Sequence, residues 1–295
     1  MNKKVLITGI DGFTGPYIEK VLLDKGYTVY GTVHGNDASE HRMPCDVTDP
    51  SQVAAVIENI QPAYVIHLAA VSFVPHGNPM DFYNVNVIGT ENILKSVENN
   101  CPGIKKLVIA SSANVYGNAD DQPVHEEQCP APLNHYAASK LAMEHLVRTY
   151  FDRLPVLITR PFNYTGIGQP HHFVIPKIVK HVKDREPVIE LGNMDVRRDV
   201  TDVRDVADAY VTLMESGMGS DTVNICTGRT YSITEIFEMA CSIGGHRPEP
   251  RVNPHFQRKK DIPVLLGDGS KLQQTGWRPR YSLEDTLGWM VLGEM

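Results

Sequence analysis

Lys4-Val5-Leu6-Ile7-Thr8-Gly9-Ile10-Asp11-Gly12-Phe13-Thr14-Gly15 opens the chain with a short apolar run, then glycines at 9, 12 and 15, then a helical pattern. Glycine allows a tight turn, lets the backbone approach a pyrophosphate, and lets helix and strand pack closely. The helix that follows offers N–H groups and a partial positive charge to a phosphate. A glycine-rich turn with no ligand would show the same spacing. Its place between a strand and a helix points instead to a dinucleotide phosphate, with Gly9, Asp11, Gly12, Phe13, Thr14 and Gly15 lining it.

Further β-branched runs occur at Thr28–Val33, Tyr64–Leu68, Leu107–Ser111 and Val156–Thr159. Helical patterns lie between them at 14–25, 50–60, 79–99 and 135–151. The runs are apolar along their length rather than alternating, which predicts strands buried on both faces. Alternating strands and helices imply right-handed βαβ units, an α/β fold with a Rossmann-type doubly wound parallel sheet. Ligands of such sheets bind at the carboxyl ends of the strands. Helices are expected at 173–184, 202–216 and 233–243 and a strand at Thr222–Cys226. This divides the chain into a dinucleotide-binding domain (1–162, with returning segments at about 199–228) and a smaller mixed α/β substrate lobe (163–198 and 229–295).

The chain has 295 residues, with 28 Lys+Arg against 35 Asp+Glu and a net charge of −7. Nucleic acid is a poor partner for so acidic a chain. The longest apolar run, Val53 to Ile57, is far short of a membrane span. No signal-peptide pattern occurs, and five irregularly spaced cysteines without C-x-x-C suggest neither a disulfide framework nor a zinc site. A cytoplasmic protein without metal is expected.

The end of the second strand ordinarily reads the adenosine ribose, an acid favouring NAD and a basic residue NADP. Here it is Val33-His34-Gly35, without an acid. That leans to NADP(H), with His34 at the 2′-phosphate and NAD(H) still possible. Asp46 and Val47 follow the third strand, where the pair fits either a contact beside the adenine or a plain turn.

Tyr136 and Lys140 stand four apart at a helix start and share one face. A tyrosine titrates near pH 10, and a nearby ammonium lowers that value, fitting it to exchange a proton with an alcohol oxygen. The spacing alone also fits a solvated pair. Ser111 and Ser112, after the strand at 107–111, face the same crevice, where a hydroxyl can donate to a reacting carbonyl.

The sequence resembles the extended short-chain dehydrogenase/reductase family along essentially its whole length. The resemblance rests on Thr8-Gly9-x-x-Gly12-x-x-Gly15, His67-Leu68-Ala69-Ala70, Asn86-Val87-Ile88-Gly89-Thr90, Ser111-Ser112-x-x-Val115-Tyr116-Gly117, Tyr136-x-x-x-Lys140, Arg160-Pro161-Phe162-Asn163 and Arg198-Asp199-x-x-Asp202-Val203-x-Asp205. It implies an oxidoreductase acting on a nucleotide-diphosphate sugar. Catalysis would fall to Ser112, Tyr136 and Lys140, and Leu68, Ala69, Ala70 and Asn86 would join the cofactor site. The substrate would meet Ser72, Phe73, Val74, Ser112, Asn163, Val174, Lys177, Arg198 and Arg258. Members that dehydrate the sugar carry a Glu two residues before the Val-Tyr-Gly tyrosine; here that position is Asn114, preceded by Ala113. Neither titrates, which leaves hydride transfer at C4. The stretches 160–170, 192–205 and 267–280 are similar to bacterial reductases of GDP-4-keto-6-deoxy-mannose, although Tyr164 replaces a frequent His. The resemblance therefore implies reduction of a GDP-4-keto-6-deoxyhexose to a GDP-6-deoxyhexose (GDP-D-rhamnose or its C4 epimer), by a homodimer joined through helices 79–99 and 135–151. A 4-epimerase retaining NAD, or a non-catalytic dinucleotide-binding scaffold, are the alternatives.

Overall fold

A computed structural model describes residues 3–35, 39–72, 78–119, 121–256 and 262–293. The strands are β1 (Lys4–Thr8), β2 (Thr28–Val33), β3 (Arg42–Pro44), β4 (Tyr64–His67), β5 (Lys106–Ala110), β6 (Val156–Pro161) and β7 (Asn163–Thr165). They continue with β8 (Val188–Leu191), β9 (Arg197–Asp202), β10 (Asp221–Ile225), β11 (Thr230–Ser232), β12 (Glu249–Val252) and β13 (Val264–Leu265). The helices are α1 (Gly15–Asp24), α2 (Pro50–Ile60), α3 (Pro79–Tyr83), α4 (Thr90–Asn100), α5 (His135–Arg148) and α6 (Val174–Lys183). The last four are α7 (Val203–Glu215), α8 (Ile233–Gly244), α9 (Ser270–Gln273) and α10 (Leu283–Leu292). A π-helical turn, Asn84–Gly89, joins α3 to α4.

The apolar runs of the first half form a parallel seven-stranded sheet in the order β10-β6-β5-β4-β1-β2-β3. Val5, Leu6, Ile7, Val65, Ile66, Leu107 and Val108 are fully buried because helices cover both faces. Ile18 and Leu22 of α1 and Val206 and Leu213 of α7 pack one face. Val53 and Ile57 of α2, Leu94 of α4 and Met143 of α5 pack the other. This is a doubly wound, Rossmann-like sheet whose order reverses between β1 and β4, opening a crevice at their carboxyl ends.

The second sheet is small. β9 pairs with β11, β13 and β7, and α6, α8 and α10 share a core with β8 and β9. The segment returning to the main sheet is α7 and β10, with Asp221 to Ile225 registered on Leu157 to Pro161. Residues 199–202, expected within that segment, lie instead in the small sheet, where Thr227 and Gly228 hold the Asp199 carboxylate.

Candidate active site

The loop after β1 is fixed by its glycines. Gly9 takes φ +67°, and a Cβ there would lie 2.9 Å from the Ala69 Cα; on Gly15 it would lie 2.1 Å from the Ile10 carbonyl oxygen. Three consecutive loop residues are tied to the end of β2. Gly9 N–H donates to Thr32 Oγ1 (3.1 Å), Ile10 N–H to the Thr32 carbonyl (3.1 Å), and His34 N–H to Asp11 Oδ2 (3.3 Å). α1 starts at Gly15 and carries no acid in its first turn, which suits an anion at its N-terminus. Leu68 and Ala69 close the far wall, their N–H groups donating to the Thr8 carbonyl and Thr8 Oγ1; Ala70 follows, half-buried. Val47 packs against Gly89, while Asp46 caps its own turn by accepting from Thr48.

Ser112, Tyr136 and Lys140 come together, all buried. Asn134 caps α5 by accepting from Ala137 N–H (2.9 Å), which sets the first turn that carries Tyr136. Ser112 Oγ accepts from Asn114 N–H and from Asn114 Nδ2, both at 3.2 Å. With both lone pairs engaged, its own proton is left to favour the phenolate form of the neighbouring Tyr136. Burial pushes the Tyr136 phenol up to about 12, and the Ser112 bond opposes this. Lys140 Nζ donates to the Ala110 carbonyl (2.7 Å), and burial pulls it down to about 8, against the pull of Glu144.

Asn86 is fully buried in the π-helical turn. Its amide accepts from Val71 N–H (2.9 Å) and donates to the Val71 carbonyl and to Ser139 Oγ (3.0 Å), and Ser139 donates to the Tyr136 carbonyl. Asn86 thus holds α5 and the loop after β4 together. Beneath it Thr90 Oγ1 donates to the Asn86 carbonyl (2.8 Å), so His67 Nε2 must donate to Thr90 (2.9 Å) and His67 Nδ1 accepts from Thr8 Oγ1 (2.6 Å). Burial, then Lys140, press His67 down to about 3, so it is neutral.

Ser111 parts company with Ser112. It donates to Glu144 Oε1 (2.6 Å), whose carboxylate also takes Arg160 Nε (2.9 Å) and Nη2 (2.6 Å). Arg160 reaches on to the Tyr116 hydroxyl (2.9 Å). This buried network is structural, and its partners are too far apart in sequence for local spacing to reveal it.

Of the residues expected to meet substrate, Asn163 is exposed on β7 beside Tyr164. Tyr164 was singled out only as a departure, yet it bonds Thr14 Oγ1 (2.9 Å) and stacks on Phe13 at 5.8 Å. Lys177 Nζ donates to the Glu190 carbonyl and lies 4.0 Å over the Phe256 ring; Val174 and Ser72 are exposed. Arg198 donates to the Arg197 and Ile262 carbonyls (2.9 and 2.7 Å). Phe73, Val74 and Arg258 lie outside the described residues.

The family described as GDP-mannose 4,6 dehydratase matches residues 6–290. The chain belongs to that family, within the extended short-chain dehydrogenase/reductases. A relative in Aggregatibacter actinomycetemcomitans named GDP-6-deoxy-D-talose 4-dehydrogenase is 39% identical over 270 residues, spanning 91% of this chain and 90% of its own. The GDP-6-deoxy-D-mannose reductase of Pseudomonas aeruginosa is 30% identical over 97% of this chain and 95% of its own. The solved structure of RMD from Pseudomonas aeruginosa complexed with NADPH has a TM-score of 0.87 at 28% identity and covers 98% of each chain. The loop at Gly9, Gly12 and Gly15 suits such a nicotinamide dinucleotide: a Cβ at Gly9 or Gly15 would strike the Ala69 or Ile10 backbone, so glycine is what lets the turn fold tightly onto the acid-free N-terminus of α1. No helix of this dehydratase-family chain, among the described residues, is long and apolar enough to cross a membrane.

Proposed function

We propose that the enzyme reduces the C4 keto group of a nucleotide-diphosphate 4-keto-6-deoxyhexose, a GDP sugar, to give a GDP-6-deoxyhexose such as GDP-D-rhamnose or its C4 epimer. One observation carries the choice within a family named for dehydration. Around the Ser112–Tyr136 pair, the positions from which a dehydratase would draw its extra base hold Ala113, buried, and Asn114, an amide engaged on Ser112. Neither exchanges a proton, so elimination of water lacks its base while C4 hydride transfer lacks nothing. The names of two relatives, one a 4-dehydrogenase and one a reductase of GDP-6-deoxy sugars, support the same reading.

A bound reduced nicotinamide supplies the hydride. Tyr136, a phenol protonated at neutral pH and held the more so by burial, gives its proton to the C4 oxygen as negative charge develops there. Ser112 donates to the phenolate left behind. Lys140, one turn along the same face, adds positive charge to the pocket and suits the nicotinamide ribose. Asn163, Val174, Lys177 and Arg198 are the residues proposed to meet the sugar nucleotide, and an Arg fork suits its diphosphate. Met80 and Ile88, more than half and about half exposed on the helices before α5, suit a homodimer face. Five unpaired thiols suit a reducing cytoplasm.

The test couples the protein to a separate dehydratase that makes GDP-4-keto-6-deoxy-mannose and follows NADH and NADPH oxidation. Stoichiometric oxidation supports C4 reduction, and Tyr136→Phe is expected to abolish it while dinucleotide binding persists. No oxidation with either dinucleotide refutes it, and interconversion of C4 epimers without net oxidation replaces it with an epimerase.

A further inference from the structure

We propose that Asp11 is the carboxylate that reads the adenosine ribose, and that it makes this enzyme favour NAD(H) over NADP(H). The proposal rests on the reading of the glycine loop as a dinucleotide site. In doubly wound sheets that ribose is met at the carboxyl end of the second strand, and an acid there accepts from its hydroxyls. β2 brings none: it runs into Val33 and His34. The acid arrives from the loop instead. Gly9, Ile10 and Asp11 run beside Thr32, Val33 and His34, joined at 3.1, 3.1 and 3.3 Å, and the third of these bonds pins the Asp11 carboxylate against the backbone one residue past the strand.

The charges nearby favour the same dinucleotide. A 2′-phosphate is close to a dianion at neutral pH and would meet the exposed Asp11 carboxylate as a like charge. The nearest arginine on the neighbouring strand, Arg42, is paired with Gly31 in register and bonded to both carboxylate oxygens of Glu19 (2.7 and 2.6 Å), so its charge is already matched. His34 is exposed and is a weaker phosphate ligand than an Arg fork. Judging β2 by its own residues therefore leads to NADP(H), whereas the residue that decides stands 23 positions earlier.

The experiment titrates the purified full chain with NADH and with NADPH separately, without sugar nucleotide, following nicotinamide fluorescence. NADH is expected to bind at least about tenfold more tightly, the scale of one charge-assisted hydrogen bond exchanged for one like-charge contact. Asp11→Asn keeps an oxygen for the His34 N–H and removes the charge; the two affinities are then expected to converge to within about threefold. Asp11→Asn combined with His34→Arg is expected to favour NADPH. An unchanged melting temperature of the Asn variant would show that the loop is intact. Wild-type protein that binds NADPH as well as NADH overturns the proposal. So does an NADH preference that survives Asp11→Asn. Binding of neither dinucleotide would overturn the cofactor reading along with it.

Discussion

Glu144→Gln tests whether the buried pair between α5 and β6 holds the fold. Glu144 and Arg160 are each about 1% exposed at the side chain, so neither has water to fall back on. Glu144 Oε1 accepts from Arg160 Nε and Ser111 Oγ, and Oε2 accepts from Arg160 Nη2 at 2.6 Å. Glutamine has one oxygen. Seated at the Oε1 position it keeps two bonds but turns its NH2 on the Arg160 Nη2 donor, and the guanidinium is left buried without a counter-charge. Arg148, itself a cation 3.7 Å from the same carboxylate, loses that partner too, but it is nearly half exposed and keeps water. Removing one member of a buried pair costs about 3–5 kcal/mol. For a chain of this size that lowers the melting temperature by roughly 5–10 °C. Urea denaturation at pH 7, followed by far-UV circular dichroism, measures the loss. Glu144→Leu with Arg160→Met is expected to recover most of it, because an apolar pair leaves no buried charge. A loss below about 1 kcal/mol for Glu144→Gln, or a double variant weaker than the single one, would refute the reasoning. The same substitution has a kinetic signature. Glu144 holds the Lys140 pKa up against burial, so without it that pKa moves further below about 8, and the alkaline fall in turnover is expected at lower pH.

Ser112→Ala is expected to lower kcat by about a hundredfold, the scale of one lost transition-state donor, whereas Ser111→Ala costs stability and spares kcat; steady-state rates on both variants check this. Tyr164→Phe keeps the stack on Phe13 and loses the bond to Thr14, so dinucleotide affinity is expected to fall about fivefold by titration. His67 is held near 3, below its ordinary value, so the stability tied to its neutral form is complete above pH 6.5 and is lost as the pH falls towards 3. His67→Asn removes that dependence. The stability gap between wild type and variant, by urea denaturation, is expected to narrow by roughly 2 kcal/mol between pH 7 and pH 5.

The main sheet was legible because its strands are buried on both faces, and unbroken apolar runs such as Val5-Leu6-Ile7 leave no other reading. The glycine loop and the Ser112, Tyr136 and Lys140 positions were legible because each follows or opens such an element. The small sheet was not. β7, β11 and β13 are two or three residues long and take their partner from β9, and so short a run carries no periodicity of its own. Nor was the work of Asn86, whose side chain is absorbed by Val71 and Ser139, or of Glu144, which meets Arg160 only when α5 lies against β6. These pairings are set by three-dimensional register, which local spacing does not encode.

The chain of bonds from Thr8 through His67 and Thr90 to Asn86 has a direction, because a carbonyl at its end can only receive. Every proton along it has one place to be, sealed from water between β1, β4 and α4. An imidazole N–H so enclosed exchanges slowly and is expected as a lone downfield proton resonance in water, lasting while the strands hold and vanishing when they part. The sheet thus carries its own magnetic marker of integrity, set just beneath the loop and helix it supports.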